Sequence, residues 1–464
     1  MYSNMHSSIQ TLFLLALVTL ALAAPRNAPI QKRGVFKVER VPNPAYKGRS
    51  PGAGTRALIK AHRKFRLDLP QGLTDAMNAN AASANPKPVG QLDDLTNSLA
   101  SGTSETKQGG VKAAAAASEA APISTGAATN GVNDTTGTGK VTATPVQGDV
   151  EYLSPVNIGG QVINMDFDSG SSDLWVFNSQ LPAASQAGHQ NFDIAKSTTF
   201  KMMAGATYTI SYGDGSGTAG NVGTDTVNIG GATATSQAVE LATAVSQSFV
   251  EDTESNGLVG LAFSMLNTVR PTQQKTFFDN VMPDLAMPVF TADLRPAAVG
   301  AYEFGAIDAT KFHGAMQWAD VNTTSGFWQF SSQKFQVGAS TVMNVPGGQA
   351  IADTGTTLML TSAAVVNAYY STVQGAVNNQ QVGGVTFPCN TQLPDMQFDV
   401  GGSFMATVRG TDVNFAPVDA AGTTCFGGIQ ALDSELQIYG DIMFKSQFVA
   451  FNGGNNSIGM APHL

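Results

Sequence analysis

Cysteine and charged residues are both scarce in this chain. Among 464 residues there are two cysteines, and charged side chains make up 13% of the sequence. Two cysteines are too few for a zinc knuckle, an iron–sulfur cluster or a scaffold held by several disulfides. The low charge excludes both a Glu/Lys-rich coiled coil and a charge-rich disordered chain. The length predicts a globular protein of two or more domains.

The motifs of several enzyme classes are also missing. Within residues 141–464, neither the GxSxG motif of serine hydrolases nor the HExxH motif of metallopeptidases occurs. Residues 215–220 match GxGxxG, but a Gly/Asn/Thr-rich stretch typical of strands follows in place of a helix, which disfavours a dinucleotide site. A serine or metallo-hydrolase is therefore the weaker alternative, and we expect no metal ion and no cofactor.

Long apolar runs that could span a membrane are absent as well. Residues 11–24 form an apolar run of 14 residues that ends in small side chains, which is typical of a signal peptide over residues 1–24. A buried core helix is the alternative. We expect a secreted protein without a membrane anchor, with a vacuolar location as the lesser alternative. In such a compartment Cys389 and Cys425 would form a disulfide, unless they are two separate buried thiols.

Positive charge is concentrated in the first third of the chain. Residues 1–140 carry 16 basic and 8 acidic side chains, whereas residues 141–464 carry 9 and 26. A basic segment ahead of an acidic body predicts two parts that attract each other, and the net charge of −9 disfavours a nucleic-acid-binding protein. A basic nucleic-acid-binding arm is the alternative. Residues 34–70 predict a short strand and a helix, and residues 71–140 resemble a linker.

The remaining sequence predicts an all-β body. Runs such as 151–158, 161–167, 206–212 and 224–229 alternate apolar with polar residues and are bounded by glycine-rich turns. Helical patterns in this region are few and short.

Within the body, one motif occurs twice. Residues 165–174 read MDFDSGSSDL and residues 350–358 read AIADTGTTL, so an apolar strand precedes Asp-(Ser/Thr)-Gly in both. An apolar-apolar-Gly element comes later in each half, at 258–260 and at 438–440. One Asp-Thr-Gly is a common turn, but two copies with the same downstream partner predict two related lobes.

From about residue 148 to the C-terminus, the sequence resembles the pepsin family of aspartic endopeptidases, most closely its secreted fungal members. The matching motifs are FDSGSSDLWVF (167–177), ISYGDGSG (210–217), NGLVGLAF (256–263), YEFG (302–305), GFWQF (326–330), ADTGTT (352–357) and GDIMFKSQFVAFN (440–452), with the cysteine pair. The resemblance implies an all-β, bilobal pepsin-like fold with an N-terminal lobe over 141–318 and a C-terminal lobe over 319–464. It also implies a cleft between the lobes that binds extended polypeptide substrates as a strand.

The resemblance implies that Asp168 and Asp353 are the catalytic aspartates. Two carboxyl groups so close together cannot both ionise cheaply, so they share one proton; one acts as general base and the other as general acid. Six neighbours are implied to support them: Ser169, Gly170, Ser171, Thr354, Gly355 and Thr356. Ser169 departs from the commoner Thr but keeps the hydroxyl, so we expect slightly looser packing with activity retained. Thr357 is a candidate substrate-binding residue.

The resemblance also implies a hairpin flap that closes over the substrate. Tyr212, Gly213 and Asp214 lie at its tip, with Tyr212 packed toward Trp175, for which an ordinary core position is the alternative. Asp214 and Asp166 are candidates for accepting a Lys side chain at P1, the residue on the amino side of the scissile bond, beside the usual large apolar residues. Two solvated acids are the alternative.

The basic segment resembles an inhibitory propeptide. Lys64 stands where the family places a Lys before an aromatic residue in the active cleft, and Phe65 replaces the commoner Tyr. An ammonium group between the carboxylates would exclude water and substrate, and protonation of the carboxylates in acid would release it. We therefore expect a propeptide and linker over residues 25–140 and a zymogen that activates itself in acid.

The expected partners are polypeptide substrates and the chain's own propeptide, and we expect a monomer. Asn322 and Asn455 head candidate glycosylation sequons. The main rival is an inactive binding protein with a pepsin fold, which the intact Asp, Ser/Thr, Gly and Tyr positions disfavour.

Overall fold

The computed structural model describes most of the body and part of the basic segment. The described residues are 35–40, 49–83, 138–143, 149–211, 217–298 and 300–464. The predicted signal peptide, most of the predicted linker and the flap residues Tyr212, Gly213 and Asp214 lie outside them. The described residues are mainly β-strand with short helices, which confirms the predicted all-β fold.

Short strands make up most of the regular structure. The strands of the first part are β1 (Val35–Arg40), β2 (Thr138–Ala143), β3 (Leu153–Ile158), β4 (Gln161–Asp168), β5 (Leu174–Val176), β6 (Lys201–Ser211), β7 (Gly217–Ile229), β8 (Ala232–Val245), β9 (Gly257–Gly260), β10 (Val289–Asp293), β11 (Ala301–Phe304) and β12 (Gln317–Asp320). Those that follow are β13 (Gln329–Ser331), β14 (Lys334–Val337), β15 (Met343–Asn344), β16 (Gln349–Ala352), β17 (Met359–Thr361), β18 (Val377–Asn379), β19 (Gly384–Pro388), β20 (Met396–Val400), β21 (Phe404–Val408), β22 (Asn414–Pro417), β23 (Thr424–Gly427), β24 (Ile429–Ala431), β25 (Leu436–Tyr439), β26 (Gln447–Asn452) and β27 (Ser457–Pro462).

The helices are short and lie between the strands. They are α1 (Ala53–Lys64), α2 (Gln71–Ser83), α3 (Ala183–Gln186), α4 (Gln247–Glu251), α5 (Phe277–Val281), α6 (Ala363–Tyr370), α7 (Gly410–Val413) and α8 (Asp441–Phe444). Single 3-10 turns cover Ile194–Lys196, Ser264–Leu266, Met282–Asp284, Ala309–Lys311 and Thr323–Ser325. In the part of the chain that the structure describes, no helix combines the length and the apolar character needed to cross a bilayer.

A seven-stranded sheet, in the order β3-β4-β9-β5-β8-β7-β6, carries the first Asp-Ser-Gly loop. β4 ends at Asp168 and pairs in parallel with β9, where Asp168 lies opposite Gly260. Ile163, Met165 and Phe167 alternate along β4 and are buried, as expected for a strand with one face in a core. This packing fixes the position of Asp168 at the end of β4.

A five-stranded sheet, in the order β13-β16-β25-β17-β24, carries the second Asp-Thr-Gly loop. β16 ends at Ala352, directly before Asp353, and pairs in parallel with β25, where Ala352 lies opposite Tyr439. In both sheets the strand of the apolar-apolar-Gly element therefore lies beside the strand that leads to the aspartate. The repeated motif is a repeat of structure as well as of sequence.

A second seven-stranded sheet, in the order β12-β27-β26-β10-β11-β1-β2, joins strands from both predicted lobes to β1 of the basic segment. β1 pairs antiparallel with β11 and in parallel with β2. Above this sheet the rings of Phe290 and Phe451 stack with centroids 4.4 Å apart, and Trp328 packs against both. The Trp328 indole Nε1 donates to the carbonyl oxygen of Leu261 at 2.9 Å. The core is therefore continuous between the two halves.

Two four-stranded sheets, β15-β14-β20-β21 and β18-β19-β23-β22, complete the second half. Cys389 and Cys425 form a disulfide at the end of the latter sheet, as expected from the sequence. Closing a loop of this length stabilises the folded state by about 3–4 kcal/mol.

Candidate active site

The two Asp-(Ser/Thr)-Gly loops meet face to face and are tied to each other by reciprocal hydrogen bonds. The Ser169 backbone N–H donates to Thr354 Oγ1 at 3.0 Å, and the Thr354 N–H donates to Ser169 Oγ at 2.9 Å. Each hydroxyl in turn donates to a carbonyl of the opposite strand, Ser169 Oγ to Ala352 and Thr354 Oγ1 to Phe167. Ser169 thus makes the same cross-connection as Thr354, because the hydroxyl is the group that both positions use.

Asp168 and Asp353 are almost fully buried and accept matching hydrogen bonds. The backbone N–H groups of Gly170 and Gly355 donate to the Oδ1 atoms of Asp168 and Asp353, at 2.8 and 3.0 Å. The outer Oδ2 atoms accept from the hydroxyls three residues further on: Ser171 Oγ donates to Asp168 and Thr356 Oγ1 donates to Asp353. Each carboxyl group is therefore fixed in orientation by its own loop.

The glycines at the centre of the loops are required by the closeness of the carboxyl groups. A Cβ atom on Gly170 would lie 2.4 Å from Asp353 Oδ1, and one on Gly355 would lie 2.4 Å from Asp168 Oδ1. Both distances are far below van der Waals contact, so any side chain here would push the two carboxyl groups apart.

Lys64 occupies the space between the two aspartates. It ends helix α1, whose residues Ala57 and Ala61 share one face and are buried. The Lys64 Nζ atom lies 2.6 Å from Asp168 Oδ1 and 2.8 Å from both carboxyl oxygens of Asp353. One ammonium group thus contacts both carboxyl groups in place of solvent.

The two aspartates are in different electrostatic states. Burial disfavours charge on Asp168, but the Lys64 ammonium and the hydrogen bonds to its carboxyl oxygens lower its pKa below the ordinary value. For Asp353, burial and the negative charge of Asp168 outweigh Lys64 and raise the pKa. The pair therefore favours one carboxylate and one carboxylic acid, which is the combination that general acid–base catalysis needs.

Two cavities flank Lys64. The first, of about 540 Å³, is lined by Asp166, Trp175 and Thr357 among others. The second, of about 440 Å³, is lined by Ser171 and again by Trp175. The structure thus places these sequence-predicted residues beside the aspartates, with Trp175 between the two cavities.

Trp175 and Thr357 are both buried. Trp175 packs against Phe177 and Phe249, so it is a core residue as well as a cavity wall, and its indole Nε1 has no hydrogen-bond partner among the described residues. Thr357 Oγ1 donates to the Val150 carbonyl oxygen. The hydroxyl proton of Thr357 is therefore already used in a hydrogen bond within the chain.

Sequence reasoning missed three acids of the first cavity, Glu151, Glu251 and Asp252. The position of Glu151 could have been found by counting outward from the two-glycine turn 159–160, whose positive φ angles allow a tight hairpin between β3 and β4. In that hairpin Leu153 lies opposite Asp166, so Glu151 lies near the level of Asp168. No comparable pattern marks Asp252, which follows helix α4 in a loop.

The second cavity also contains residues that sequence reasoning missed. It is lined by apolar side chains from both halves of the chain, including Leu266, Phe327, Leu436 and Ile438. Within the described ranges, no group of three or more His, Cys, Asp or Glu side chains has the geometry to hold a metal ion.

Comparison with known proteins agrees with this geometry. The family model described as "Eukaryotic aspartyl protease" matches residues 151–463. The sequence is 46% identical over 464 residues to a protein of Aspergillus fumigatus named as an aspergillopepsin A-like aspartic endopeptidase, covering 98% of this chain and 99% of that relative. It is 47% identical to penicillopepsin-1 of Penicillium rubens (70% and 81% covered) and 49% identical to endothiapepsin of Cryphonectria parasitica (68% and 76% covered). The chain therefore belongs to the eukaryotic aspartyl protease family and is an aspartic endopeptidase of the pepsin type.

Proposed function

We propose that this protein is a secreted, acid-active endopeptidase, made as a zymogen that activates itself. The observation that carries the proposal is the position of Lys64, whose Nζ atom lies within 2.8 Å of both Asp168 and Asp353. A substrate carbonyl and an attacking water molecule need this same space. The enzyme is inactive until Lys64 leaves it.

Once Lys64 has left, Asp168 and Asp353 share one proton. The ionised carboxyl group removes a proton from water while the water oxygen forms a bond to the peptide carbonyl carbon, and the protonated group donates to the carbonyl oxygen. The resulting tetrahedral species collapses as the C–N bond breaks. The amine nitrogen takes up the proton that the general base removed from water, and a hydroxyl of the tetrahedral species returns a proton to the carboxyl group that had donated one. Ser171, Thr356 and the two loop glycines hold the carboxyl oxygens in place throughout, so little reorganisation is needed.

Acid releases the basic segment because its contacts are ion pairs with carboxylates. Protonation of Asp353, whose pKa is raised by burial, removes one of the two negative partners of Lys64 first. The pKa of Asp168 is lowered, so its pairing with Lys64 persists until the pH falls further. Stepwise loss of attraction predicts a propeptide that is firmly held near neutrality and is released as the solution becomes acidic.

The proposed organisation is a signal peptide over 1–24, a propeptide and linker over 25–140, and catalytic lobes over 141–318 and 319–464. Secretion is supported by the apolar run at 11–24 and by the disulfide, which is typical of oxidising compartments. Asn322 and Asn455 are exposed, so both sequons are accessible to glycosylation. Both aspartates come from one chain, so a monomer has a complete site.

The proposed specificity is for large apolar residues around the scissile bond and for Lys at P1. Apolar preference is supported by Phe65, which follows Lys64 and packs edge-on against Phe327 with ring centroids 6.1 Å apart. Acceptance of Lys is assigned to Asp166 and Asp214. Cleavage of paired peptides with Lys or Phe at P1 by an Asp214→Ala variant tests this, and equal losses on both peptides would rule out the charge argument.

The experiment that tests the proposal is acidification of the purified full-length protein. We expect the chain to shorten from its N-terminus and to begin digesting casein, with N-terminal sequencing identifying the new start. An Asp168→Asn variant should do neither, and a statine inhibitor of the pepstatin type should block both. A full-length chain that digests protein at neutral pH, without being cut, would contradict the proposal.

A further inference from the structure

The first cavity holds a cluster of three acids beside the aspartate pair. The acidic cluster consists of Glu151, Asp166 and Asp252, all of which line the cavity. Glu151 and Asp166 are only 8% and 5% exposed. Asp166 Oδ1 accepts no hydrogen bond from any residue that the structure describes. Burial and the negative charge of Glu151 raise the pKa of Asp166 to about 8 and that of Asp252 to about 7. In acid, the contact with a cationic ligand therefore falls to Glu151.

The basic segment supplies such a ligand. The Lys60 Nζ atom donates to Glu151 Oε2 at 2.8 Å. Loss of solvent works against the charge of Lys60, but the carboxylates of Glu151, Asp166 and Asp252 together raise its pKa well above the ordinary value. The cluster thus already binds a primary ammonium group at the end of an aliphatic stem.

The spacing of Lys60 from Lys64 matches that of alternate residues in an extended peptide. The two lysines are four residues apart on helix α1, so they share one face and are separated by about 6 Å along the axis. An extended chain advances about 3.3 Å per residue and returns to the same face every second residue. A substrate side chain two residues from P1 therefore reaches the acidic cluster when P1 is at the aspartates.

The direction of the basic segment through the cleft indicates which end of the substrate is involved. Arg56 and Lys60 line the first cavity, ahead of Lys64, whereas Phe65 and Leu67 line the second, after it. A substrate of the same polarity places its residues on the amino side of the scissile bond in the first cavity. The position that faces the cluster is then P3, the third residue on that side.

We propose that the acidic cluster of the activated enzyme is a subsite for a Lys or Arg side chain at P3 of the substrate, and that Lys60 occupies this subsite in the zymogen. The aliphatic stem of such a residue would pack on the apolar wall formed by Phe249 and Leu258, with its charged tip at Glu151. The inference rests on the proposed function, because the subsite opens only when the basic segment leaves.

The test uses acid-activated enzyme and three peptides that share Phe at P1 and differ at one position. The first has Lys at P3, the second norleucine at P3, and the third Lys at the third residue after the scissile bond. At about pH 5 the kcat/KM for the P3-Lys peptide should exceed that for the norleucine peptide by about tenfold, as expected for one charge-assisted hydrogen bond to Glu151.

Variants of the cluster should remove this preference. In Glu151→Gln, and in Glu151→Ala as a second variant of the cluster, the ratio of kcat/KM between the P3-Lys and norleucine peptides should fall to about twofold or less. Glu254→Gln is the matched control, because Glu254 is exposed and does not line the cavity. It should keep the wild-type ratio.

The outcomes separate this inference from the proposed function. If the enzyme activates and cuts the norleucine peptide but shows no P3-Lys preference, or if the preference survives both cluster variants, the subsite is wrong and the proposed function stands. A preference for Lys on the carboxyl side also overturns it. If the chain neither shortens in acid nor cuts any of the peptides, the proposed function fails and the subsite with it.

Discussion

The two aspartate loops are built alike but lie in different surroundings. Their cross-linking hydrogen bonds are reciprocal, and each carboxyl group accepts from one backbone N–H and one hydroxyl. Two residues before Asp168, however, the first half has Asp166, whereas two residues before Asp353 the second half has Ile351. The geometry that the two loops share is the part that the reaction uses. Asp166, which has no acidic counterpart in the second half, is available to select substrates.

A second difference lies five residues after each aspartate. The first half has Asp173, which is buried with Glu240 around the side chain of Asn267, and the second half has the fully buried Leu358. Burial raises the pKa of both Asp173 and Glu240. The first half therefore contains a pH-sensitive pair at a place where the second half has an apolar core.

The largest expected effect comes from removing either member of the aspartate pair. Because each carboxyl group performs one of two proton transfers, Asp168→Asn and Asp353→Asn should each lower kcat about a thousandfold or more. Both variants should be measured on the norleucine peptide after removal of the basic segment by an added active enzyme, with circular dichroism as a check on folding. If one variant retains a tenth of the activity, the two halves do not contribute equally to the reaction.

Removing the cation that distinguishes the two carboxyl groups should have the next largest effect. Loss of one partner of a buried ion pair costs about 3–5 kcal/mol, partly offset here because Asp168 and Asp353 can take up a proton. Full-length Lys64→Met should therefore process itself at a pH about one unit higher than the wild type. The pH midpoint of chain shortening on a gel measures this.

Lys60→Met is the matched control for that experiment. It lies one turn earlier on the same helix, and its side chain is 49% exposed, against 10% for Lys64. It should shift the midpoint less than Lys64→Met does. Equal shifts would mean that total positive charge, and not the contact with the aspartates, holds the segment in place.

A smaller effect is expected from the buried acid pair of the first half. A carboxyl group whose pKa is higher in the folded than in the unfolded protein does not lower the free energy of unfolding at pH values below the ordinary carboxyl pKa. The free energy of unfolding then falls as the pH rises through the raised pKa. Glu240→Gln removes one titrating group, so the activated variant should exceed the wild type in free energy of unfolding at pH 7 by about 1–2 kcal/mol. Denaturant unfolding at pH 4 and pH 7 measures the difference, and a variant with an unchanged dependence on pH would contradict the interpretation.

The smallest effect should follow from making the two loops identical. Ser169→Thr gives the first loop the same residue as Thr354 in the second loop and adds one methyl group at a buried position. Because the hydroxyl already makes the cross-connection, kcat should change less than about twofold, and the free energy of unfolding should change by less than about 1.5 kcal/mol. A large loss of activity would show that the first loop has no room for the methyl group.

The parts of the site that could be predicted are those marked by short sequence motifs. Two apolar strands ending in Asp-(Ser/Thr)-Gly, each with a later apolar-apolar-Gly partner, were sufficient to predict two related lobes and to mark Asp168 and Asp353 as equivalent residues, and the resemblance implied that the two act together. The position of Lys64 is different, because it is one of 16 basic residues in the first 140. Only resemblance to a known family distinguished it from the others.

The parts that could not be predicted depend on tertiary packing. Asp252 reaches the first cavity from a loop after α4, and Phe327 reaches the second from the other half of the chain. Neither is tied to Asp168 by a strand register or by a short spacing. Glu151 could be predicted only in part. The register of the β3–β4 hairpin indicates that it lies near Asp168, but not that it is buried.

The measurement that tests the central claim most directly is the pH dependence of kcat/KM for the activated enzyme on the norleucine peptide. Two carboxyl groups that share one proton predict a bell-shaped profile with both limbs on the acid side of neutrality, lost at high pH when the shared proton leaves. An activity that rises with pH to a plateau above neutrality would contradict the account, because the pair would then work with both carboxyl groups ionised.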